Sequence, residues 1–457
     1  MTAPFERWLD QEYRYAATAM LASISPVNIL KARPGVGQTV RPVAGAVVAS
    51  PVLAGYDPDP DYFFHWYRDS AVVIDSLRLL LQDGGIGPEA LGHFADFVRF
   101  SLSLQKLDGR TLAASAAWRA NVDADFICYL RDDAELACIH SDAVAAYTRV
   151  NPDGSLDISK WACPQHDGPP LRLLTLLRWA RDVPLDTPLS VDASALMRAD
   201  LKFTLDHWRE PCFDIWEEEL GLHYYTLRVS AAALSEGAAW LQANGDQREA
   251  QTCRADAAAI LRVLDGYWLP EQQHYRSRVA SAGRSAKELD IAVILTAIHA
   301  GATGDAHSVH DPRMQKTLAR LEALFEAAYP INQGRPPQTG PAMGRYGGDI
   351  YYSGGAYYFS TLGAAEFCYR AAVGADDASA WFERGDAFLA TVRAFTPPTG
   401  NLSEQFDQRT GAQTSAKHLA WSYAAFISCV AARRGVRGTL ASRRLDERSS
   451  RLRPAVR

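Results

Sequence analysis

Helical periodicity runs through most of this 457-residue chain. Apolar residues recur at three- and four-residue steps, whereas alternating strand-like runs are rare and short. Because connections over about 15 residues in a compact domain are usually functional, we expect the long, aromatic-rich connections between alternate helices to gather on one face. The pattern predicts helices over 5–22, 67–82, 88–105, 170–182, 193–209, 226–243, 247–265, 286–301, 312–327, 355–374, 379–396 and 415–433. The long connections are 23–66, 106–169, 210–225, 328–354 and 397–414.

Consecutive helical hairpins of this number predict an all-α protein with two concentric rings of six helices. A helical-repeat solenoid is the competing architecture, but no sequence period of roughly 30 to 45 residues recurs. Large closed folds exceed the common ~150-residue domain, so we expect one domain over residues 1–433. Residues 434–457 carry many arginines and few large apolar side chains, which is typical of a disordered tail.

Composition excludes several classes of protein. Hydrophobic residues make up 48% and charged residues 22%, which is typical of a globular chain. The net charge of -6 argues against nucleic acid as a partner, since phosphate binding relies on an excess of Lys and Arg. No apolar run approaches the ~18 residues of a membrane span, and the N-terminus lacks a signal-peptide pattern. We therefore expect a cytoplasmic protein with no membrane partner, provided that Met1 is the native start.

Motifs for metal, serine or phosphate chemistry are missing from the sequence. The chain contains no HExxH, GxSxG, GxGxxG or GxxxxGK[ST] pattern. Its seven cysteines are scattered without a CxxC pair, which indicates reduced thiols rather than a zinc site. We expect no metal and no cofactor.

The loop YDPDPDYFFHWYRDSAVV, residues 56–73, begins like a calcium-binding loop with three alternate aspartates. Its sixth position is Tyr62 instead of glycine and its twelfth is Arg68 instead of glutamate, which rejects calcium. What remains is a pair of aromatic rings beside an arginine and an acceptor, the residue types that bind sugars: Tyr62, Trp66, Arg68 and Asp69. The same residues could instead form a structural Arg–Asp pair at a helix N-terminus.

Two further loops carry residues of interest. In KWACPQHDGPP, residues 160–170, Trp161 could stack on a sugar or donate to a carboxylate, although a core tryptophan is an equal alternative. In GRYGGDIYYSGGAYYF, residues 344–359, Arg345 and Asp349 could hold hydroxyl groups beside glycines that allow close backbone approach.

Two stretches supply candidate catalytic carboxylates. FDIWEEELGLHYYT, residues 213–226, places three consecutive acids between aromatic residues. An acidic run is usually solvated, but apolar walls disfavour the charged form of a carboxylic acid, so an acid here could stay protonated and serve as a general acid. The loop NLSEQFDQRTG, residues 401–411, offers a partner in Glu404.

These motifs resemble glycoside hydrolase family 15, the glucoamylases. FERWLDQEYRYAATAMLASI is similar to the opening helix of that family, and DYFFHWYRDS, CPQHDGPPLR, FDIWEEELGLHYYT, GRYGGDIYYSGGAYYFSTLGAAE and LSEQFDQRTGAQTSAKHLAWSYAA are similar to its five loop motifs in the same order. The resemblance implies an (α/α)6 barrel, or six-hairpin toroid, with the active-site loops on one face. It also implies one catalytic domain over residues 1–433.

The resemblance further implies an inverting, exo-acting α-glucosidase that releases β-glucose from α-1,4-linked oligosaccharides. One acid protonates the leaving oxygen while the other activates a water on the opposite sugar face, with the carboxyls ~6.5–9.5 Å apart. By motif matching, Glu217 is the general acid and Glu404 the general base. Tyr62 would orient the water, Trp161 would contact the general acid and Glu218 would contact the next sugar. The implied substrate-binding residues are Tyr62, Trp66, Arg68, Asp69, Trp161, Asp214, Trp216, Glu218, Arg345, Asp349 and Tyr351.

Departures from the family pattern leave alternatives open. Cys163 stands where the family usually has arginine, and residues 354–357 read GGAY instead of a GNPW-like turn. Residues 110–148 form a longer excursion than the fungal enzymes carry. Preference for α-1,6 links or for trehalose is therefore one alternative, and a non-catalytic glucan-binding module is another. Retention of both glutamates weighs against the second, so we expect a soluble α-glucan oligosaccharide as substrate.

Overall fold

The computed structural model describes residues 3–55, 57–283, 285–301 and 306–451. These residues form fifteen α-helices, which include all twelve predicted ones. The helices are α1 (Ala3–Leu21), α2 (Tyr67–Gln82), α3 (Glu89–Leu104), α4 (Gly109–Ala113), α5 (Asp133–Ala137), α6 (Asp142–Ala145), α7 (Gly168–Asp182), α8 (Thr187–His207), α9 (Tyr224–Ala243), α10 (Gln247–Asp265), α11 (Ala292–His299), α12 (Pro312–Ala328), α13 (Tyr358–Ala372), α14 (Ala378–Phe395) and α15 (Ala420–Arg451).

Six of these helices close into an inner ring. Helix α2 packs on α7, α7 on α9, α9 on α11, α11 on α13, α13 on α15, and α15 returns to α2. Helices α1, α3, α8, α10, α12 and α14 pack outside this ring. The prediction of an (α/α)6 barrel is therefore confirmed.

Burial along each helix explains which ring it joins. Fourteen of the fifteen residues of α13 are buried, as expected for a helix surrounded by protein. In α10 only five of nineteen residues are buried, and they recur at three- and four-residue steps, which gives one apolar stripe facing inward. Among the described residues, no helix is both long and apolar enough to span a membrane.

Short antiparallel strands tie the connections together. They are β1 (Lys31–Arg33), β2 (Gln38–Val40), β3 (His65–Trp66), β4 (Arg149–Val150), β5 (Cys212–Phe213), β6 (Leu220–His223), β7 (Trp268–Leu269), β8 (His274–Tyr275), β9 (Arg278–Ala280), β10 (Ala356–Tyr357), β11 (Gln405–Phe406) and β12 (Gln413–Thr414). Strand β3 pairs with β4, β6 with β5 and β9, and β11 with β10 and β12. These pairings hold the predicted site loops at the ends of the inner helices.

Several helix boundaries differ from the prediction, including the starts of α8 and α11 and the end of α15. Helix α11 begins later than predicted, and the Asp290 carboxylate accepts from the N–H of its first residue, Ala292, at 2.8 Å. Helix α15 continues through residues 434–451, where a disordered tail was predicted. Burial of Val436 and the pairing of Arg434 and Arg437 with Asp83 and Glu6 stabilise the first turn of this continuation. Residues 452–457 lie outside the described part of the chain.

A buried acid on α1 makes stability depend on pH. Burial raises the pKa of Glu12 from its ordinary value of 4.5 to about 8, and its Oε1 has no hydrogen-bond partner. Because the folded-state pKa exceeds the unfolded one, the stabilising effect of the proton is complete below about pH 4.5 and is lost as the pH rises towards 8. Glu12→Gln is therefore expected to raise the free energy of unfolding by roughly 2–4 kcal/mol at pH 9 and to leave it nearly unchanged at pH 4.

Urea unfolding of both proteins at the two pH values measures this difference. The exposed Glu271 provides a control, since Glu271→Gln should give the same small effect at both pH values. An equal change for Glu12→Gln at pH 4 and pH 9 would contradict the assignment.

Candidate active site

A cavity of about 790 Å³, partly open to solvent, lies where the inner helices begin. Its walls come from the first turns of α2, α13 and α15 and from the loops that precede α2, α7, α9, α13 and α15. The positive ends of these helix dipoles favour negatively charged groups at this end of the barrel. Eleven predicted site residues line the cavity: Tyr62, Trp66, Arg68, Asp69, Trp161, Trp216, Glu217, Glu218, Arg345, Tyr351 and Glu404.

The carboxylate of Glu217 is held by three donors. Trp66 Nε1 donates to Oε1 at 2.8 Å, and Arg68 Nη2 donates to the same oxygen at 3.2 Å. Trp161 Nε1 donates to Oε2. Both oxygens therefore accept from fixed groups, which orient the side chain.

A tight turn presents Glu217 to the cavity. The residue has φ of 65°, a left-handed conformation that non-glycine residues adopt at a cost and that is often found at functional sites. The Asp214 carboxylate accepts from the N–H groups of Glu218 at 2.8 Å and Glu219 at 3.1 Å, and it pairs with buried Arg278 at 2.6 Å. Asp214 was predicted to bind substrate, but it lies behind the turn and does not line the cavity.

Glu404 sits in a different environment, at the start of the β11–β12 hairpin. Its Oε2 accepts from the hydroxyl of Ser415, which lies near the hairpin's other end. Its backbone N–H donates to the carbonyl of Ala416 at 2.8 Å. Burial raises the pKa of Glu404 to about 7, although the Ser415 hydroxyl and Arg345 act in the opposite direction. This carboxyl is thus able to gain or lose a proton near neutral pH.

Arg345 is fixed by a buried carboxylate on its own loop. Its Nε and Nη2 donate to the two oxygens of Asp349 at 2.7 and 2.6 Å, and Nη2 also donates to Glu218 at 3.0 Å. Asp349 accepts further bonds from the Tyr351 N–H and the Tyr357 hydroxyl. Like Asp214, Asp349 was predicted to bind substrate directly, but its carboxylate supports Arg345 from behind.

Arg68 lies at the centre of an acidic cluster. It is 3.2 Å from Asp69, 3.5 Å from Asp167 and 3.2 Å from Glu217. Burial raises the pKa of Asp167 to about 6 and raises that of Asp69. One guanidinium thus faces three carboxyl groups. Within the described residues, no group of three or more His, Cys, Asp or Glu side chains has an arrangement suited to a metal ion.

Two aromatic residues at the inner end of the cavity were not predicted from the sequence. Trp421 and Phe359 stack with their ring centroids 4.4 Å apart and their planes 6° apart, and both line the cavity. They belong to the first turns of α15 and α13, where helical periodicity indicates an ordinary core position. Their place in the cavity depends on how the two helices converge, which the sequence pattern does not show.

A second cavity of about 990 Å³ lies on the other side of the same two rings. It is lined by the later turns of the inner helices. Its arginines are held by acids, with Arg178 2.7 Å from Asp75 and Arg78 2.6 Å from Asp182. The stacked rings therefore close the first cavity at its inner end.

An arginine from another segment of the chain contacts Cys163. Arg131, which belongs to the 110–148 excursion, donates to Cys163 Sγ at 3.3 Å and to the carbonyl oxygen of Trp161. The excursion packs on the barrel through a small apolar cluster that includes Leu136 and Phe100. The segment thus supports the wall of the cavity that carries Trp161.

An (α/α)6 barrel with two unlike carboxyl groups in one aromatic and arginine-lined cavity defines a carbohydrate-cleaving hydrolase. Residues 31–83, 145–384 and 373–431 match the model of glycosyl hydrolases family 15. The chain belongs to this family and is a glycoside hydrolase.

Curated relatives agree with this assignment, and solved structures agree with the fold. The chain is 26% identical to Glucoamylase 1 of Rhizopus oryzae, covering 94% of this chain and 71% of the relative. It is also 26% identical to a probable glucoamylase of Schizosaccharomyces pombe, covering 96% and 94%. The glucoamylase structures of Hypocrea jecorina and Saccharomycopsis fibuligera each align with a TM-score of 0.76, at 23% and 21% identity, covering 94% and 95% of this chain and 73% and 96% of theirs. At that identity the structural likeness shows the fold alone.

Proposed function

We propose that this chain is an inverting, exo-acting α-glucosidase. It hydrolyses α-1,4 links at the non-reducing end of maltooligosaccharides or soluble α-glucan and releases β-glucose. The observation that carries the proposal is the pair of carboxyl groups, Glu217 and Glu404, which line one cavity in opposite hydrogen-bonding environments. Residues 1–433 are proposed as the single catalytic domain, to which the rest of α15 is appended.

Glu217 acts as the general acid. It gives its proton to the oxygen of the leaving sugar, and negative charge then develops on its carboxylate. The N–H groups of Trp66, Trp161 and Arg68 are already directed at that carboxylate. Donors fixed in advance at a site of developing charge lower the barrier without reorganisation during the reaction.

Glu404 acts as the general base. It removes a proton from the water that attacks the anomeric carbon, so it must be ionised before the reaction. Tyr62 and Tyr351, whose hydroxyls are 2.8 Å apart, line the same cavity and are proposed to hold this water. A base with a pKa close to the working pH combines ionisation with a strong driving force for proton removal.

The terminal glucose is bound by guanidinium and carboxylate groups. Arg68, Asp69 and Arg345 are proposed to bind its hydroxyl groups, because planar guanidinium groups and carboxylates form directional hydrogen bonds. Glu218 is proposed to contact the next sugar. Exo action follows from the closed end of the cavity at Trp421, which leaves room for a chain end but no exit for a continuing chain.

Proton NMR of fresh reactions tests the proposal directly. Maltotetraose is expected to release glucose whose first detected anomer is β, because water attacks the face opposite the bond that breaks. Initial α-glucose would overturn the inverting mechanism. Absence of glucose from maltotetraose, isomaltose and trehalose would overturn the α-glucosidase proposal as a whole.

The type of glycosidic link that the enzyme prefers has one specific alternative. The wall beside Cys163 departs from the family pattern and is supported by Arg131, and contacts on the leaving-group side decide linkage preference. An enzyme that prefers α-1,6 links or trehalose is therefore the second candidate. In the same NMR series it would release β-glucose faster from isomaltose or trehalose than from maltotetraose.

The Ser415 hydroxyl provides a test of the general base through pH. It donates to Glu404 and lowers the carboxyl's pKa, so that the net effect of burial and this bond is a pKa of about 7. Activity should fall as the pH drops through the pKa of the base, and Ser415→Ala should move this acidic limb to higher pH. We expect kcat/KM at pH 6 to fall about tenfold, the equivalent of one charged hydrogen bond of about 1.4 kcal/mol, with little change at pH 9.

Profiles of kcat/KM from pH 4.5 to 9 measure this shift, since they report groups of the free enzyme. Ser403→Ala is the matched control, because the Ser403 hydroxyl donates to the Gln405 carbonyl at 2.6 Å and not to Glu404. An acidic limb that stays in place in Ser415→Ala would remove Glu404 from the role of base.

A further inference from the structure

We propose that Arg149 is a positioning residue for Glu217. Its guanidinium lies against both indole rings whose N–H groups donate to the Glu217 carboxylate. In this proposal Arg149 fixes the two rings and strengthens their N–H groups as donors. The inference rests on the proposed function, because it assigns Arg149 a part in proton donation by Glu217.

The placement of Arg149 results from strand pairing. In the short sheet of β3 and β4, Arg149 is the direct partner of Trp66. The Cζ atom of Arg149 is 3.5 Å from the centroid of Trp161 and 4.8 Å from that of Trp66. The two indoles meet edge to face, with centroids 6.2 Å apart and planes at 80°. One cation thus contacts both rings from the protein side of the cavity wall.

The charge of Arg149 is fully buried and only partly satisfied. The side chain is 2% exposed and pairs with Asp157 at 2.7 Å. Its Nη2 donates to the Ser159 hydroxyl at 3.2 Å, while buried Nη1 has no hydrogen-bond partner among the described residues. A buried donor without a hydrogen-bond partner destabilises the folded state. Stability alone therefore gives a weak reason for an arginine at this position.

The chemistry of the two indole rings gives a functional reason for an arginine at position 149. A cation over an aromatic face attracts the π electrons of the ring, which leaves the indole N–H more positive and a better donor. Both polarised N–H groups end on Glu217. The benefit is largest when Glu217 has just lost its proton and carries a full negative charge, so Arg149 acts on the proton-transfer step.

Two substrates separate this role from a structural one. Cleavage of maltotetraose needs a proton on the leaving oxygen, whereas α-glucosyl fluoride expels fluoride, a leaving group that needs little protonation. In Arg149→Met we expect kcat on maltotetraose to fall at least tenfold while kcat on α-glucosyl fluoride falls less than threefold, a pattern of lost acid assistance. KM for maltotetraose should change little, since Arg149 is not among the cavity-lining residues.

Arg149→Lys keeps the positive charge and serves as a second test variant if Arg149→Met does not fold. It should recover part of the maltotetraose activity, because a lysine retains the cation but loses the planar stack. Arg33→Met is the matched control. Arg33 is a buried arginine paired with Asp61, and it lies over Phe64 at 3.9 Å, the ring that Arg149 contacts at 4.0 Å, but not over either indole. Its ratio of activities on the two substrates should equal that of the wild type.

The outcomes distinguish the inference from the proposed function. An active wild type in which Arg149→Met or Arg149→Lys loses both activities equally would overturn the inference and leave the α-glucosidase proposal intact. A wild type without activity on maltotetraose, isomaltose and trehalose would overturn the proposed function. Selective loss on maltotetraose, with the Arg33→Met ratio unchanged, would support the assignment of Arg149.

Discussion

In the Glu404→Gln variant, kcat on maltotetraose is expected to fall roughly 10²- to 10⁴-fold. Glutamine keeps the shape of the side chain and can accept a bond from the Ser415 hydroxyl, but it cannot take a proton from water. The KM should change only a few-fold, because the groups proposed to bind glucose hydroxyls stay in place. Initial-rate kinetics at pH 7 and 8 measure both quantities.

Added azide gives a second readout for the general base. In Glu404→Ala the missing carboxylate leaves space, and an anionic nucleophile needs no base to activate it. We expect azide to restore turnover and to form the β-glucosyl azide, since attack still comes from the face opposite the leaving group. Asp407→Asn is the control, because Asp407 caps the nearby turn through the N–H groups of Arg409 and Thr410. Formation of the α-glucosyl azide would contradict the assignment.

The Glu217→Gln variant is expected to lose roughly 10²- to 10⁴-fold in kcat on maltotetraose but to keep most of its activity on α-glucosyl fluoride. The reason is that the amide cannot protonate the leaving oxygen, while fluoride departs with little help. In contrast, Glu404→Gln should lose activity on both substrates, because both reactions need an activated water. Steady-state kinetics of the two variants on the two substrates therefore separate acid from base.

Glu219→Gln is the matched control for Glu217, since it alters an acid on the same turn. Glu219 accepts from Ser285 at 2.7 Å and from Arg278 at 3.1 Å, and it does not line the cavity. Its kcat should stay within a few-fold of the wild type, with thermal unfolding reporting any loss of stability. Equal losses on both substrates in Glu217→Gln would contradict the role of general acid.

Local sequence patterns predicted the scaffold well. The ranges 67–82 and 247–265 coincide with α2 and α10 to the residue, because a helix is stabilised by contacts between residues three and four apart. Ring closure was also predictable, since twelve helices with a buried face each need neighbours on both sides. The continuation of α15 was not, because its stabilising pairs involve Glu6 and Asp83, hundreds of residues away.

The direction of a side chain within a loop was harder to predict. Asp214 and Asp349 stand in the motifs that line the cavity, yet both turn away from it. Each carboxylate instead accepts hydrogen bonds from backbone N–H groups of its own tight turn. Asp214 also pairs with Arg278, and Asp349 pairs with Arg345. A turn leaves N–H groups without partners, and a short aspartate nearby is well placed to satisfy them. Sequence spacing does not reveal which side of the turn receives the carboxylate.

The amino-acid sequence by itself determined the helical periodicity, the family motifs and the choice of Glu217 and Glu404 as candidate acids, because these depend on residue type and local spacing. Tertiary structure decided what surrounds each acid. Ser415 reaches Glu404 across a hairpin, and Arg149 reaches the indoles beside Glu217 only because β4 pairs with β3. Burial and charge act through distance in space, so the proton affinity of a carboxyl group depends on neighbours that the order of residues along the chain does not specify.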